Sequence, residues 1–342
     1  MAVPVPDRVG YAALVARLVA RLADGDVHSG PSLVRELGAS RDQLKRAVQR
    51  LKALGVEIVA LPWRGYRLPA PVELFDAARI VGALGREHRA SIRRLEVLFE
   101  VDSTNSRLLA APPPPLMFAD VCLCEIQSAG RGRRGRLWVS PFGGSIAMSL
   151  GWTFPEGGRA KPALSLAVGV AIARALDRVG ARGVRLKWPN DIWLTDRKIG
   201  GVLIEVKTEA GRAAQVVIGI GLNLQLSPEV RRAIEAAGVR VAALSDACPL
   251  PVSRNGLAAA LLAELLSMLG GFEAEGFAPF RAEWLALDAL CGRAARVLGA
   301  DGGIAGIARG VDDDGALLLE GGGRMHRFVS GEVSLRLSEV EA

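Results

Sequence analysis

The chain has 342 residues, 50% of them hydrophobic and 23% charged, the balance of a globular protein and not of a disordered or fibrous one. It carries 43 Lys+Arg against 36 Asp+Glu, but residues 1–70 hold 11 of those bases and 6 of the acids, so most of the excess positive charge sits in the first fifth. That asymmetry suits a polyanion-binding head on a nearly neutral body.

Leu14, Val15, Leu18 and Leu22 recur at helical spacing and predict a helix over 11–23. Ser29-Gly30-Pro31-Ser32 opens a second helix that ends near Gly38. Ser40, with Gln43 at capping-box spacing, opens a third, which stops before Gly55. Leu44, Val48 and Leu51 form its inward stripe, whereas Asp42, Lys45, Arg46 and Gln49 project from the opposite face. Apolar runs at 56–60 and 66–68 flank Pro62-Trp63-Arg64-Gly65 and predict a hairpin. Three helices and a hairpin resemble a winged helix-turn-helix domain. Lys45, Arg46 and Gln49 are the candidates for a DNA groove and Arg64 for the wing. The bland alternative is a small helical domain with a solvated basic face.

The composition becomes less charged after Pro69 and Pro71, and a boundary is expected near residue 70. Asp102-Ser103-Thr104-Asn105 then precedes a helix that stops at the prolines 112–115, which read as a polyproline spacer at the surface. Taken alone, the motif reads first as an N-cap and second as a set of ligand-facing polar groups. A strand at 121–126 follows, in which Cys122 and Cys124 share a face and read, like Cys248 and Cys291, as buried small hydrophobes. Only three histidines are present, widely spread, and no zinc cluster is expected.

After that strand comes Gln127-Ser128-Ala129-Gly130-Arg131-Gly132-Arg133-Arg134-Gly135-Arg136-Leu137-Trp138. Its glycines let backbone approach a ligand and its arginines offer bidentate donors to phosphate or carboxylate. Such a loop repels itself until an anion neutralises it, and Trp138 is placed to stack on a purine. A third motif runs Lys187-Trp188-Pro189-Asn190-Asp191, then Arg197-Lys198-Ile199-Gly200-Gly201-Val202-Leu203-Ile204-Glu205. Lys187 and Lys198 are expected at the edges of two strands joined by a turn, both pointing into one cleft, where they would face a developing oxyanion. Asn223, after a strand at 216–220, is a further polar candidate. No apolar run reaches the ~18–20 residues of a spanning helix, and the first residues contain no apolar leader.

Each motif is weak singly, but their order resembles one family, the biotin–protein ligases. The N-terminal region resembles the head of the bifunctional type that also represses biotin synthesis genes, and 292–342 resembles its small SH3-like barrel, with Gly306 to Asp312, Gly315 to Leu319 and Gly331 to Arg336 as the pattern. The resemblance implies an α+β protein in three parts: a winged helix-turn-helix at 1–70, a central mixed-sheet α/β catalytic domain of class II synthetase type at 71–291, and the barrel at 292–342. It implies ATP and biotin as substrates, with Mg2+. Biotinyl-5′-AMP forms first, and biotin then passes to a lysine of a biotin carboxyl carrier protein.

By this resemblance Ser103, Thr104, Asn105 and Gln127 hold biotin, and Arg131, Gly132 and Arg133 belong to the loop that closes over it. Lys198 lies at the carboxylate, Lys187, Asn190 and Asn223 surround the phosphates, Trp138 stacks on adenine, and Asp191 orients the incoming amine. Lys198, Lys187 and Arg133 would carry the catalysis. Operator DNA and a homodimer formed with biotinyl-AMP are further implied, and a cytoplasmic location is expected from the lack of a visible signal and of a spanning run. A ligase with a non-regulatory head, a biotin sensor without catalysis and, most distantly, a lipoate ligase are the alternatives.

Overall fold

The computed structural model describes residues 8–155, 163–207, 214–248, 252–299 and 302–335; Arg336 and the first seven residues, on which the absence of a leader was read, lie outside them. The chain divides into two compact units, Met1–Phe75 with Pro141–Gly143, and Asp76–Ser140 with Gly144–Ala342.

In the first unit, α1 (Arg8–Leu22), α2 (Gly30–Leu37) and α3 (Arg41–Ala53) pack on one another and are followed by the antiparallel pair β1 (Val59–Leu61) and β2 (Gly65–Arg67). The caps follow the sequence signals. Ser29 accepts from the Ser32 N–H, Gly38 closes α2 in the left-handed region, and Ser40 and Gln43 form a reciprocal capping box. Leu18, Leu22, Leu33 and Leu51 are fully buried between the helices, whereas Lys45, Arg46 and Gln49 are exposed on α3 and Arg64 is exposed in the hairpin turn.

The second unit opens with α4 (Ala77–Gly82), α5 (Arg86–Ala90), β3 (Ile92–Val101), α6 (Thr104–Leu109) and β4 (Ala119–Gln127). It continues through β5 (Ser145–Phe154), α7 (Leu164–Arg178), β6 (Val184–Lys187), β7 (Asp191–Leu194), β8 (Arg197–Lys207) and β9 (Ala214–Asn223). The strands form a mixed sheet of order β3-β4-β5-β9-β8-β7-β6, in which β3 and β4 run parallel and the other neighbours antiparallel. β5 is buried along its whole length, as a central strand covered on both faces must be. After α8 (Pro228–Ala236), helices α9 (Arg254–Glu275) and α10 (Ala278–Leu287) complete the helical cover: α7 packs on α9, and α9 on β5. A five-stranded antiparallel sheet follows, formed by β10 (Ala294–Gly299), β11 (Gly302–Val311), β12 (Leu317–Gly321), β13 (Arg324–Phe328) and β14 (Glu332–Leu335) in the order β13-β12-β11-β10-β14.

Four expectations need correction. Helix α9 is long and apolar enough by length and composition to cross a membrane, because Glu264 interrupts the run without lowering its average much; in the fold it is a largely buried core helix. Cys291 is exposed, unlike Cys122 and Cys124, whose thiols burial pushes up, that of Cys122 to about 12. The prolines 112–115 do more than space the chain at the surface: the carbonyls of Pro112 and Pro113 accept from Arg93, and that of Pro114 from the buried Thr153 hydroxyl. Finally, β7 stands between the strands that carry Lys187 and Lys198, so the two lysines lie on a three-stranded meander and not on one hairpin.

Candidate functional site

The site is built on a strand whose side chains are missing. Gly219 and Gly221 alternate on β9 and so share a face. A Cβ at Gly219 would lie 2.3 Å from Asn105 Oδ1, and one at Gly221 would lie 2.4 Å from the Trp138 ring. Glycine is required here for close approach, because backbone serves as the floor on which both side chains rest.

Ser103, Thr104 and Asn105 are all buried at the start of α6. Ser103 stands at the N-cap position but makes no side-chain cap, so the N-cap reading of the motif gives way to the other. The first helical N–H, that of Thr104, instead donates to Gln127 Oε1 at 3.0 Å, and Gln127 Nε2 donates to Ser140 Oγ at 3.4 Å. Asn105 Nδ2 donates to Glu205 Oε2 at 2.7 Å and to the Leu203 carbonyl at 3.3 Å. Ser149 Oγ lies 2.6 Å from both Thr104 Oγ1 and Asn105 Oδ1. A helix start, three strand interiors and a strand end thus converge on one polar cluster.

The cationic side is set by the meander. Lys187 ends β6 and lies in register with Asp191, the first residue of β7, which is itself opposite Gly201 of β8. Lys198 Nζ donates to Asp191 Oδ1 at 2.6 Å, both groups being about a fifth exposed. Its ammonium lies 5.8 Å from the Trp138 ring centroid, and that of Lys187 lies 4.6 Å from the Trp193 ring. Asn190 is held by the Val202 carbonyl at 2.7 Å and Asn223 by the Ala242 carbonyl at 3.2 Å.

The arginine-rich loop closes on itself. Gly132 N–H donates to the Arg136 carbonyl at 2.7 Å and Trp138 N–H to Gly130 O at 2.9 Å, around a short 3-10 turn over Arg133–Gly135. Arg134 (φ 56°) and Gly135 (φ 72°) take the left-handed conformation that reverses the chain. From this turn Arg131 reaches Glu205 at 3.3 Å and Arg133 reaches Asn190 Oδ1 at 3.4 Å.

Together these elements enclose a cavity of about 470 Å³, in the range of small-molecule and cofactor sites. Ser103, Thr104, Asn105, Gln127, Arg131, Gly132, Arg133, Trp138, Lys187, Asn190, Asp191, Lys198 and Asn223 all border it. Lys45, Arg46, Gln49 and Arg64 belong to the other compact unit. Sequence reading missed Gly219, Gly221, Leu298, Gly331 and Val333, which border the cavity, and Ser149 and Glu205, which lie behind it and bond to Thr104 and Asn105. Glu205 closed the third motif and was visible as a charge within an apolar strand. The others lie in stretches whose local pattern shows only strand.

Two family models match the chain: the biotin/lipoate A/B protein ligase family over residues 100–223 and the biotin protein ligase C-terminal domain over 290–336. The chain is 41% identical to the bifunctional ligase/repressor BirA of Escherichia coli, covering 94% of this chain and 97% of that protein. It is 28% identical to the bifunctional ligase/repressor BirA of Bacillus subtilis over 92% and 95% of the two chains. Among solved structures, it is similar to the Aquifex aeolicus biotin protein ligase in complex with biotin and ATP, at 26% identity and a TM-score of 0.60, over 71% of this chain and 99% of that one.

Proposed function

The chain belongs to the family of bifunctional biotin protein ligases and repressors, and from that premise we propose how its residues divide the chemistry. It is an ATP-dependent biotin–protein ligase. In the first half-reaction a carboxylate oxygen of biotin attacks the α-phosphorus of ATP, the bond to the β-phosphate breaks, and pyrophosphate leaves. In the second, the neutral ε-amine of a carrier-protein lysine attacks the acyl carbon, AMP leaves with the bonding electrons, and the nitrogen loses a proton.

The observation that carries this reading is the single cavity that gathers Thr104, Asn105 and Gln127 with two ammonium groups and Trp138. The polar cluster receives the biotin ring, beside the turn of Arg131, Gly132 and Arg133. Lys198 meets the acyl-phosphate oxygens, with Asp191 holding its ammonium beforehand. Lys187, Asn190 and Asn223 take the phosphates, and Trp138, resting on Gly221, takes the adenine. At ~4 Å and an effective dielectric near 20, one lysine–oxyanion pair is worth about 4 kcal/mol, so two fixed cations supply much of the stabilisation such a displacement needs without a general base. Mg2+ enters as the counter-ion of the nucleotide. Among the described residues there is no group of three His, Cys, Asp or Glu side chains that could hold a metal, whereas the amide oxygen of Asn223, whose Nδ2 is held by the Ala242 carbonyl, suits an ion carried mainly by phosphate and water. The arginines shield the mixed anhydride from water.

We read the first unit as a winged helix-turn-helix over 1–70, with Lys45, Arg46 and Gln49 of α3 at the groove and Arg64 at the wing; 71–291 is the catalytic domain of class II synthetase type and 292–342 an SH3-like barrel. A homodimer formed on binding biotinyl-AMP would present two heads to a palindromic operator. The acceptor is a biotin carboxyl carrier protein.

The test is ATP–pyrophosphate exchange with biotin or lipoate, followed by label transfer to a carrier domain and retention of operator DNA with and without biotin and ATP. Exchange that requires biotin, with label on a carrier lysine, supports the ligase. No exchange in folded protein that still binds biotin overturns it in favour of a ligand-sensing repressor. DNA retention indifferent to biotin and ATP removes the regulatory role.

A further inference from the structure

Behind the polar end of the cavity runs a chain of hydrogen bonds that includes the buried Ser149 and the partly exposed Glu205, neither of which borders the cavity. The direction of each proton follows from which groups can only accept. The Asn105 amide faces the Leu203 carbonyl and the Glu205 carboxylate. Both are acceptors without a proton, so Nδ2 points at them and Oδ1 points at Ser149 Oγ, 2.6 Å away. Oδ1 has no proton to give, so the one proton of Ser149 goes to it. Ser149 Oγ also lies 2.6 Å from Thr104 Oγ1, and there it is left only to accept. Thr104 has one other inward partner, Gln127 Oε1 at 3.3 Å, which already accepts from the Thr104 N–H. Whichever partner it takes, the Thr104 hydroxyl donates inward and presents lone pairs to the cavity.

We propose that Glu205 and Ser149 are positioning residues that fix the Thr104 hydroxyl as an acceptor, and that they thereby select an acid whose ring carries an N–H donor, such as a cyclic urea. The proposal rests on the biotin reading and extends it to two residues outside the cavity wall. An acceptor that is buried and aimed at the cavity discriminates strongly, because a ring without a donor leaves it unpaired. The 4% exposure of Thr104 and complete burial of Ser149 leave little water to repair the mismatch. Glu205 also accepts from Arg131, so the same carboxylate ties the arginine-rich turn to the ring-reading residues.

The experiment uses the full chain and biotin-dependent pyrophosphate exchange, with biotin compared with biotin methylated on its ring nitrogens. Ser149→Ala is expected to raise KM for biotin about tenfold, leave kcat and KM for ATP near wild type, and narrow the biotin-to-methylated ratio of kcat/KM about tenfold. Glu205→Leu should move the ratio the same way by less, because the Leu203 carbonyl still holds the Asn105 amide. Glu205→Gln should restore it, because its side-chain oxygen can accept in the carboxylate's place. If the variants weaken both acids alike and the ratio stays at its wild-type value, the residues are merely structural and the proposal is overturned. Should Ser149→Ala not fold, the Glu205→Leu and Glu205→Gln pair decides the matter by the same ratio. A wild-type protein that exchanges with neither acid removes the biotin reading itself, a result distinct from an unchanged ratio in an active enzyme.

Discussion

Around one cavity the protein uses two kinds of support. On the strands and the start of α6 the shortest polar contacts are 2.6 Å from Lys198 to Asp191, 2.6 Å from Ser149 to Asn105, 2.7 Å from Asn105 to Glu205 and 2.7 Å from Asn190 to the Val202 carbonyl, beside others of 3.2–3.4 Å. In the arginine-rich turn the backbone is closed by its own hydrogen bonds, and Arg131 and Arg133 contact Glu205 and Asn190 at 3.3 and 3.4 Å. The wall groups are therefore held by the sheet and the start of α6, whereas the guanidinium groups are carried by a turn that is closed by its own backbone. Groups that meet reacting atoms profit from fixed placement, because no reorganisation is then needed during reaction. Groups that cover a bound intermediate must instead let it in.

The comparison is broken most easily at Lys198. Lys198→Ala should lower biotin-dependent pyrophosphate exchange by about 10²–10³-fold, the usual cost of losing one preorganised charge or donor. Circular dichroism should show an unchanged fold. Exchange near the wild-type rate would take Lys198 out of the chemistry and leave the wall without its central cation.

Gly219→Ala is the next largest. Its Cβ would need the space of Asn105 Oδ1, and the displaced amide is expected to raise KM for biotin by up to about a hundredfold while KM for ATP stays. Equal effects on both substrates would show that the floor does not separate a ring end from a nucleotide end.

A third test concerns the frame behind the wall. Asp288 follows α10, and the next residue donates its N–H to the Leu186 carbonyl of β6. Burial pushes its carboxyl up to about 6 from an ordinary 3.8, and Oδ2 has no hydrogen-bond partner among the described residues. Because the folded state binds this proton more tightly than the unfolded state, the group favours folding below about pH 4 and loses that contribution as pH rises through 6. Asp288→Asn, which keeps an acceptor for the Leu290 N–H, should stabilise the protein at pH 8 by about 1–3 kcal/mol and hardly at pH 4. Denaturant melts at the two pH values check this; equal shifts at both would contradict it.

The smallest effect is expected in the turn. Arg133→Ala should leave adenylate formation near wild type and release biotinyl-AMP about tenfold faster, read by the half-life of the enzyme-bound intermediate. A loss of exchange as large as that of Lys198→Ala would erase the distinction between wall and turn.

Much of the site was legible because its motifs are local. The capping pairs Ser29–Ser32 and Ser40–Gln43 act within about one helical turn, so a span of four residues suffices to specify them. The Gly-Arg turn, the Lys187–Asp191 segment and the Lys198 strand each carry unusual composition in a short span, and all border the cavity. Sequence reading failed where register decides. That Asp191 faces Lys198 and that β7 separates the two lysines depend on the register of short hairpins, and that Gly219 and Gly221 lie beneath Asn105 and Trp138 depends on contacts across long stretches of chain.

The amino-acid sequence by itself determined which chemistries were present: a basic head, hydroxyl and amide groups before a helix, an arginine-rich turn and two lysines at strand ends. Only the tertiary structure decided which of them meet and in what state. It took Ser103 out of its capping role, paired Lys198 with Asp191, and aimed the Thr104 proton inward through Ser149 and Glu205. The physical reason is that donor and acceptor directions in a buried network are set by every partner at once. Those partners come from strands and helix starts that only the folded sheet brings within 3 Å of one another.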